Sequence, residues 1–152
     1  MLGSMAEVRY ELAALATNWR WLFDPADYLL LAVSPFGDLL LQDPSGAVCL
    51  LDVNIGEMVY ATETGADPVK LFPFAFDGEL AAKYRGAGLF LVDGKCYGYK
   101  LPVIAAGSSF DPSNVYVADL AGYVSFLGDL HHQLQNVENG EKVELKIRNL
   151  PN

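Results

Sequence analysis

Apolar residues recur at helical spacing near the start of the chain. Val8, Leu12, Leu15 and Trp19 fall three or four positions apart, which predicts an amphipathic helix over residues 5–23. Ser4 and Glu7 have capping-box spacing at its start. Asp24-Pro25 ends it, because a residue before proline avoids helical dihedrals. The texture then changes. Tyr28–Val33, Asp38–Gln42, Ala47–Val53 and Glu57–Ala61 are short, largely apolar runs. Between them lie Ser34-Pro35-Phe36-Gly37, Asp43-Pro44-Ser45-Gly46 and Asn54-Ile55-Gly56, residues that supply the dihedrals of tight turns. Short runs joined by tight turns predict an antiparallel β-meander.

Helical character returns over residues 66–86, with Asp67-Pro68 as its start and Gly86 or Gly88 as its stop. Phe72, Phe74 and Phe76 in this stretch read as core. Leu89–Val92 reads equally as a strand or a bend. Tyr97–Tyr99 and Val115–Ala118 read as strands. Asp119 to Gln135 reads as a helix with Leu120, Tyr123, Val124, Leu127, Leu130 and Leu134 on one face. Beyond the Asn139-Gly140 turn, Val143, Leu145 and Ile147 alternate with charged residues, which predicts a half-exposed final strand over 142–148. The order of elements predicts an α+β fold: one domain over 5–152, a mainly antiparallel sheet with helices packed against it. Trp21 and Phe36 are expected in its core. Gly3-Ser4-Met5 reads as a cloning remnant before a native start at Met5, so residues 1–4 are set aside.

Composition narrows the function classes. The chain has 152 residues, 52% of them hydrophobic, enough to fill one core. Its 19 acids against 10 bases give a net charge of -9. That field opposes direct nucleic-acid binding, which needs clustered Lys and Arg, and it opposes attraction to an anionic membrane. The longest apolar run, Tyr28–Val33, is far short of a bilayer span. No secretory signal is visible, and two isolated cysteines suggest a reduced interior, so a cytoplasmic location is expected.

Candidate chemistry is sparse. Neighbouring positions on a helix point about 100° apart, so His131 and His132 cannot chelate one metal together; they read as a half-exposed pair late in the helix. Cys49 and Cys96 read as buried packing residues rather than nucleophiles. Asp38 and Asp52 flank strand-like runs and can be imagined as the carboxylate pair of a glycosidase, but turn capping is the simpler role. No phosphate-binding loop, dinucleotide fingerprint, zinc-protease motif or nucleophile elbow is present. No catalytic, cofactor-binding or metal-ligating residue is therefore assigned, and the chain is not expected to be an enzyme. One charge pattern is informative. Trp21 to Val69 holds Asp24, Asp27, Asp38, Asp43, Asp52, Glu57, Glu63 and Asp67 and no Lys or Arg. Such a span suits docking onto a basic partner. Asp38, Asp43, Asp52 and Glu57 are the candidate contacts, because strand ends project beyond a core.

Several motifs together resemble a bacterial immunity family. They are Trp21, Ser34-Pro35-Phe36-Gly37-Asp38-Leu39, Asp43-Pro44-Ser45-Gly46-Ala47-Val48 and Leu51-Asp52-Val53 with Gly56. Lys95-Cys96-Tyr97-Gly98-Tyr99-Lys100-Leu101-Pro102, then Gly107, Asn114 and Val115, and Leu130-His131-His132-Gln133 continue the series, and Asn139-Gly140 with the last strand closes it. The similarity runs over residues 19–148. Ile104-Ala105-Ala106-Gly107 has one glycine where the family has two. The family is the domain forming the C-terminal half of immunity proteins against DNase effectors of type VI secretion, often found after a GAD-like domain. The resemblance implies a protein that binds a cognate effector toxin and occludes its active site, with no cofactor. The acidic span suggests a toxin acting on nucleic acid or nucleotides. A small hydrolase using Asp38, Asp52 or His131 and a stand-alone binding adaptor are the alternative classes.

Overall fold

A computed structural model of the chain describes residues 10–61, 67–76 and 78–135. The predicted final strand and the Asn139-Gly140 turn lie outside the described residues. The meander forms as its turn residues predict. β1 (Leu29–Val33), β2 (Leu39–Gln42), β3 (Val48–Asp52) and β4 (Glu57–Tyr60) make a four-stranded antiparallel sheet in that order. Gly37, Gly46 and Gly56 turn its three corners at φ of 89°, 90° and 85°, conformations that a Cβ disfavours. A bulge between Leu30 and Ala32 breaks the register of β1 against β2. β5 (Lys95–Tyr99) and β6 (Val115–Asp119) form a second, two-stranded antiparallel sheet. Among the described residues four α-helices complete an α+β fold: α1 (Leu12–Leu15), α2 (Pro68–Leu71), α3 (Gly78–Gly86) and α4 (Leu120–Leu134). Among the described residues no helix is long and apolar enough to cross a membrane.

Alternation along the strands buries both faces of the larger sheet. Leu39, Leu41, Cys49, Leu51 and Val53 join α1, Trp19 and the apolar face of α4 in the main core. Leu40 and Leu50 on the opposite face pack with Phe72, Ala75 and Phe76. α3 covers the outer side of the smaller sheet through Ala81 and Tyr84 against Tyr97, Tyr99 and Val115.

The two sheets are tied together at their turns. The Tyr97 N–H donates to the Pro35 carbonyl at 2.7 Å. Asn54 Nδ2 donates to the Phe36 carbonyl at 3.3 Å. The Tyr123 hydroxyl donates to Asn54 Oδ1 at 2.6 Å and accepts the Tyr99 N–H at 3.1 Å. Gly98 sits where a Cβ would lie 2.8 Å from the Tyr123 ring, so the strand can pass only without a side chain. Gly56 is doubly constrained. Its φ is positive, and a Cβ there would lie 2.6 Å from His131 Nδ1. Gly56→Ala is therefore expected to cost roughly 2–4 kcal/mol, from backbone strain plus overpacking. A chemical denaturation curve checks it; an unchanged midpoint would contradict the close packing.

Both helices expected before β5 are interrupted. In place of a helix through residue 23, α1 stops after one turn at Ala16 (φ -105°, ψ 22°), and Thr17–Trp19 continues as a 3-10 turn. The turn lets Trp19 Nε1 donate to the Val124 carbonyl at 2.9 Å and Asn18 Nδ2 donate to Ser125 Oγ at 2.7 Å, bonds to α4 that outweigh local propensity. In place of one helix over 66–86 there are α2 and α3. Phe72-Pro73 separates them, since proline disfavours helical dihedrals in the residue before it. Phe72 and Phe76 are buried as expected, but Phe74 is 52% exposed. Leu89–Val92 forms no strand. Phe36 is buried, whereas Trp21 is only half-buried; Trp19 holds the position in the core expected for Trp21.

Candidate functional site: an acidic row at one end of the sheet

Antiparallel register brings three of the four candidate carboxylates together. Val33 pairs with Leu39, Leu39 with Leu51, and Asp52 with Glu57. Carried one position further, the same registers set Ser34 opposite Asp38 and Asp38 opposite Asp52. A hydrogen bond from the Ser34 N–H to the Asp38 carbonyl, 2.8 Å, fits that placement. Ser34, Asp38, Asp52 and Glu57 thus form one row across all four strands, and directly opposed side chains in such a row have Cβ atoms about 5 Å apart. Burial deepens along it. Glu57 is exposed at the edge, Asp52 is half-buried, and Asp38 is only 4% exposed.

Asp38 is consequently withdrawn from the set of surface contacts. Its strand end does not project; it is folded under the Ser34–Gly37 turn. Ser34 Oγ donates to Asp38 Oδ2 at 2.9 Å and accepts the amides of Phe36 and Asp38 at 3.1 Å each. Among the described residues Oδ1 has no hydrogen-bond partner. Burial pushes the Asp38 carboxyl up to about 8, and the neighbouring Asp52 adds to the rise, against the opposing pull of Ser34 and of the Val53 amide. Burial therefore favours the protonated form of Asp38 at neutral pH.

Asp52 keeps a turn role as well. Its Oδ1 accepts the Ile55 N–H at 3.0 Å. Burial raises its carboxyl above the usual range, the Ile55 and Asn54 amides oppose that shift, and Glu57 adds to it. Among the described residues no Lys or Arg pairs with Asp52 or Glu57. Like charges directly opposite on adjacent strands are destabilising.

Asp43 lies apart. β2 carries the chain from Asp38 to Asp43, about 17 Å at the usual rise of a strand. There the Asp43 carboxylate closes its own turn, accepting Ser45 Oγ at 2.6 Å and the Ser45 and Ala47 amides at 2.9 Å each. The Ser45 hydroxyl leads in holding it below the usual carboxylate range. The structure therefore divides the expected contacts into Asp52 and Glu57 at the surface, Asp38 beneath them, and Asp43 at the opposite end.

The remaining chemical candidates are occupied in packing. Cys49 and Cys96 are fully buried, and burial pushes the Cys49 thiol up to about 11 and the Cys96 thiol further in the same direction. His131, expected half-exposed, is buried. Its Nε2–H donates to the Asn54 carbonyl at 3.2 Å, its ring lies 5.8 Å from that of Trp19, and burial lowers its basicity. His132 is exposed and stacks on Trp21 with 6° between the planes. Among the described residues no group of three or more His, Cys, Asp or Glu side chains is placed to hold a metal ion.

Sequence reasoning missed Ser34 and Asn54. The signal for the row was available: turn lengths set the register of a meander, and that register aligns Ser34, Asp38, Asp52 and Glu57. Compared with family models, with curated proteins and with solved structures, the chain finds no match.

Proposed function

We propose that the chain is a bacterial immunity protein that binds a cognate type VI secretion effector in the cytoplasm and occludes its active site. The observation that carries this reading is the cross-strand pair Asp52 and Glu57, two carboxylates opposed in register with no cation between them among the described residues. A basic catalytic cleft supplies that cation, and a toxin acting on nucleic acid or nucleotides has such a cleft. The motifs behind the family resemblance add support from a second direction. Pro35, Phe36, Gly37, Tyr97, Gly98 and Tyr99 meet at the joint between the two sheets, so their order along the chain suits a shared scaffold. A hydrolytic role for Asp38 finds less support, because a group that is 4% exposed cannot meet a substrate in this conformation.

Charge-neutral replacement tests the reading. Asp52→Asn and Glu57→Gln are each expected to weaken binding to the effector encoded beside this chain by tenfold or more. Losing one partner of a desolvated charge pair costs about 2–5 kcal/mol. Asp43→Asn, at the far end of the sheet, is expected to leave affinity within about twofold, as for a distant exposed charge. Titration calorimetry of the three variants decides; parent-like binding by both Asp52→Asn and Glu57→Gln would remove the acidic row from the interface.

A further inference from the structure

We infer that the outer edge of β4 takes up an extended, basic segment of the partner as a fifth strand. This mode of binding rests on the immunity reading and specifies how the contact is made. The Ala61 N–H donates to the Val48 carbonyl at 2.9 Å, which sets the alternation along β3 and β4. Ala61, Val59 and Glu57 then exchange hydrogen bonds with Val48, Leu50 and Asp52, and the N–H and C=O groups of Met58 and Tyr60 point away from β3. β4 borders only β3 in its sheet, so these outward groups have no strand partner among the described residues.

The two edges of the sheet differ. β1 carries the bulge between Leu30 and Ala32, a device that blunts an edge against pairing. β4 keeps an unbroken register with β3 along its whole length. Exposed side chains flank this edge: Ile55, two positions before β4, is 42% exposed, and Tyr60 at its end is 48% exposed with its hydroxyl 3.3 Å from that of Tyr28. Main-chain hydrogen bonds with flanking side-chain contacts are the components of recognition by strand addition.

Charge selects the occupant. Glu57 opens β4 with Asp52 opposite it, and neither has a Lys or Arg partner among the described residues. A second copy of this chain would bring a like-charged edge and a further net charge of -9. A partner segment carrying Lys or Arg pairs with the outward main-chain groups of Met58 and Tyr60 and neutralises both carboxylates at once.

Amide hydrogen exchange on the whole chain, followed by NMR, tests the inference. The probe is an inactive variant of the effector encoded beside this chain. The Met58 and Tyr60 amides are expected to exchange freely in the unbound chain and to slow by about a hundredfold or more in the complex, as amides do on entering a ladder; slow exchange in the unbound chain at every concentration would assign the edge to a segment of this chain and overturn the inference. Tyr60→Pro removes one outward donor and leaves the backbone bonds to β3 in place, while Tyr60→Ala removes only the side chain and its contacts with Tyr28 and Cys49; at an unchanged far-UV spectrum Tyr60→Pro is expected to weaken the complex tenfold or more beyond Tyr60→Ala. A complex in which Met58 and Tyr60 still exchange freely would overturn strand addition and leave the immunity reading standing. Failure to form any complex would overturn the immunity reading, and strand addition with it. Protection that grows with the concentration of this chain alone would assign the edge to a second copy and overturn the basic partner.

Discussion

Trp19→Ala is expected to destabilise the fold by about 3–5 kcal/mol, the range for deleting a large buried aromatic. Trp19 is fully buried, and its ring lies between Trp21 at 5.7 Å and His131 at 5.8 Å. Removing it leaves a cavity and also orphans a buried acceptor, because its Nε1–H donates to the Val124 carbonyl of α4. The close approach of Asn18 to Gly128, where a Cβ would lie 2.7 Å from the Asn18 carbonyl oxygen, leaves that stretch little room to collapse. Trp21→Ala should cost roughly half as much, since Trp21 is half-buried and its bond to the Gly128 carbonyl is longer, 3.2 Å. Urea denaturation of both variants checks the order. Equal losses, or a larger loss for Trp21→Ala, would contradict the assignment of Trp19 to the core.

Asp38→Asn is expected to change how stability depends on pH. Burial, with Asp52 beside it, raises the folded-state carboxyl to about 8, while the unfolded chain titrates near 3.9, the ordinary value for aspartate. Between those two values the folded state holds a proton that the unfolded state has released. Stability from this group is thus complete below about pH 4 and is lost progressively as pH rises from there through about 8. Asp52, also raised by burial, acts with the same sign. His131 acts with the opposite sign below about pH 6.5, because its folded-state basicity is lowered. Comparing parent with Asp38→Asn cancels the His131 contribution and keeps in the difference the mutual effect of Asp38 and Asp52. The variant is expected to match the parent near pH 4 and to exceed it by up to about 5 kcal/mol near pH 8.5, since each tenfold difference in proton affinity between the two states is about 1.4 kcal/mol. Parallel stability curves across that range would mean that Asp38 is ionised in the folded state.

The meander was legible because every strand is bounded by residues with a specific turn function, and each turn glycine adopts the positive φ that its position implies. α4 was legible for the same kind of reason: Asp119 caps it by accepting the Gly122 N–H at 2.9 Å, and a continuous apolar face follows. The first helix was not, because its periodicity continues through Ala16 while the backbone turns there to bring Asn18 and Trp19 onto α4. Contacts a hundred residues away decide that turn. The break at Phe72-Pro73 was legible in principle, since proline carries its own stop signal. For the site, the acidic span was visible as composition. Which acids face outward was not, because burial of Asp38 depends on Ser34 folding over it, and the isolation of Asp43 depends on the direction of β2.

Inhibition by stoichiometry is the most direct measurement of the central claim that this chain neutralises a toxin by binding it. A candidate effector, sought among the products of genes adjacent to that of this chain, is purified and assayed on its own substrate while the chain is added in increasing molar ratio, and the chain alone is assayed in parallel. The account predicts that activity falls linearly and is abolished at about one equivalent, as for tight binding well above Kd, with no turnover by the chain itself and with weaker inhibition by the Asp52→Asn/Glu57→Gln double variant. Full effector activity in the presence of excess chain, or substrate turnover by the chain alone, would contradict it.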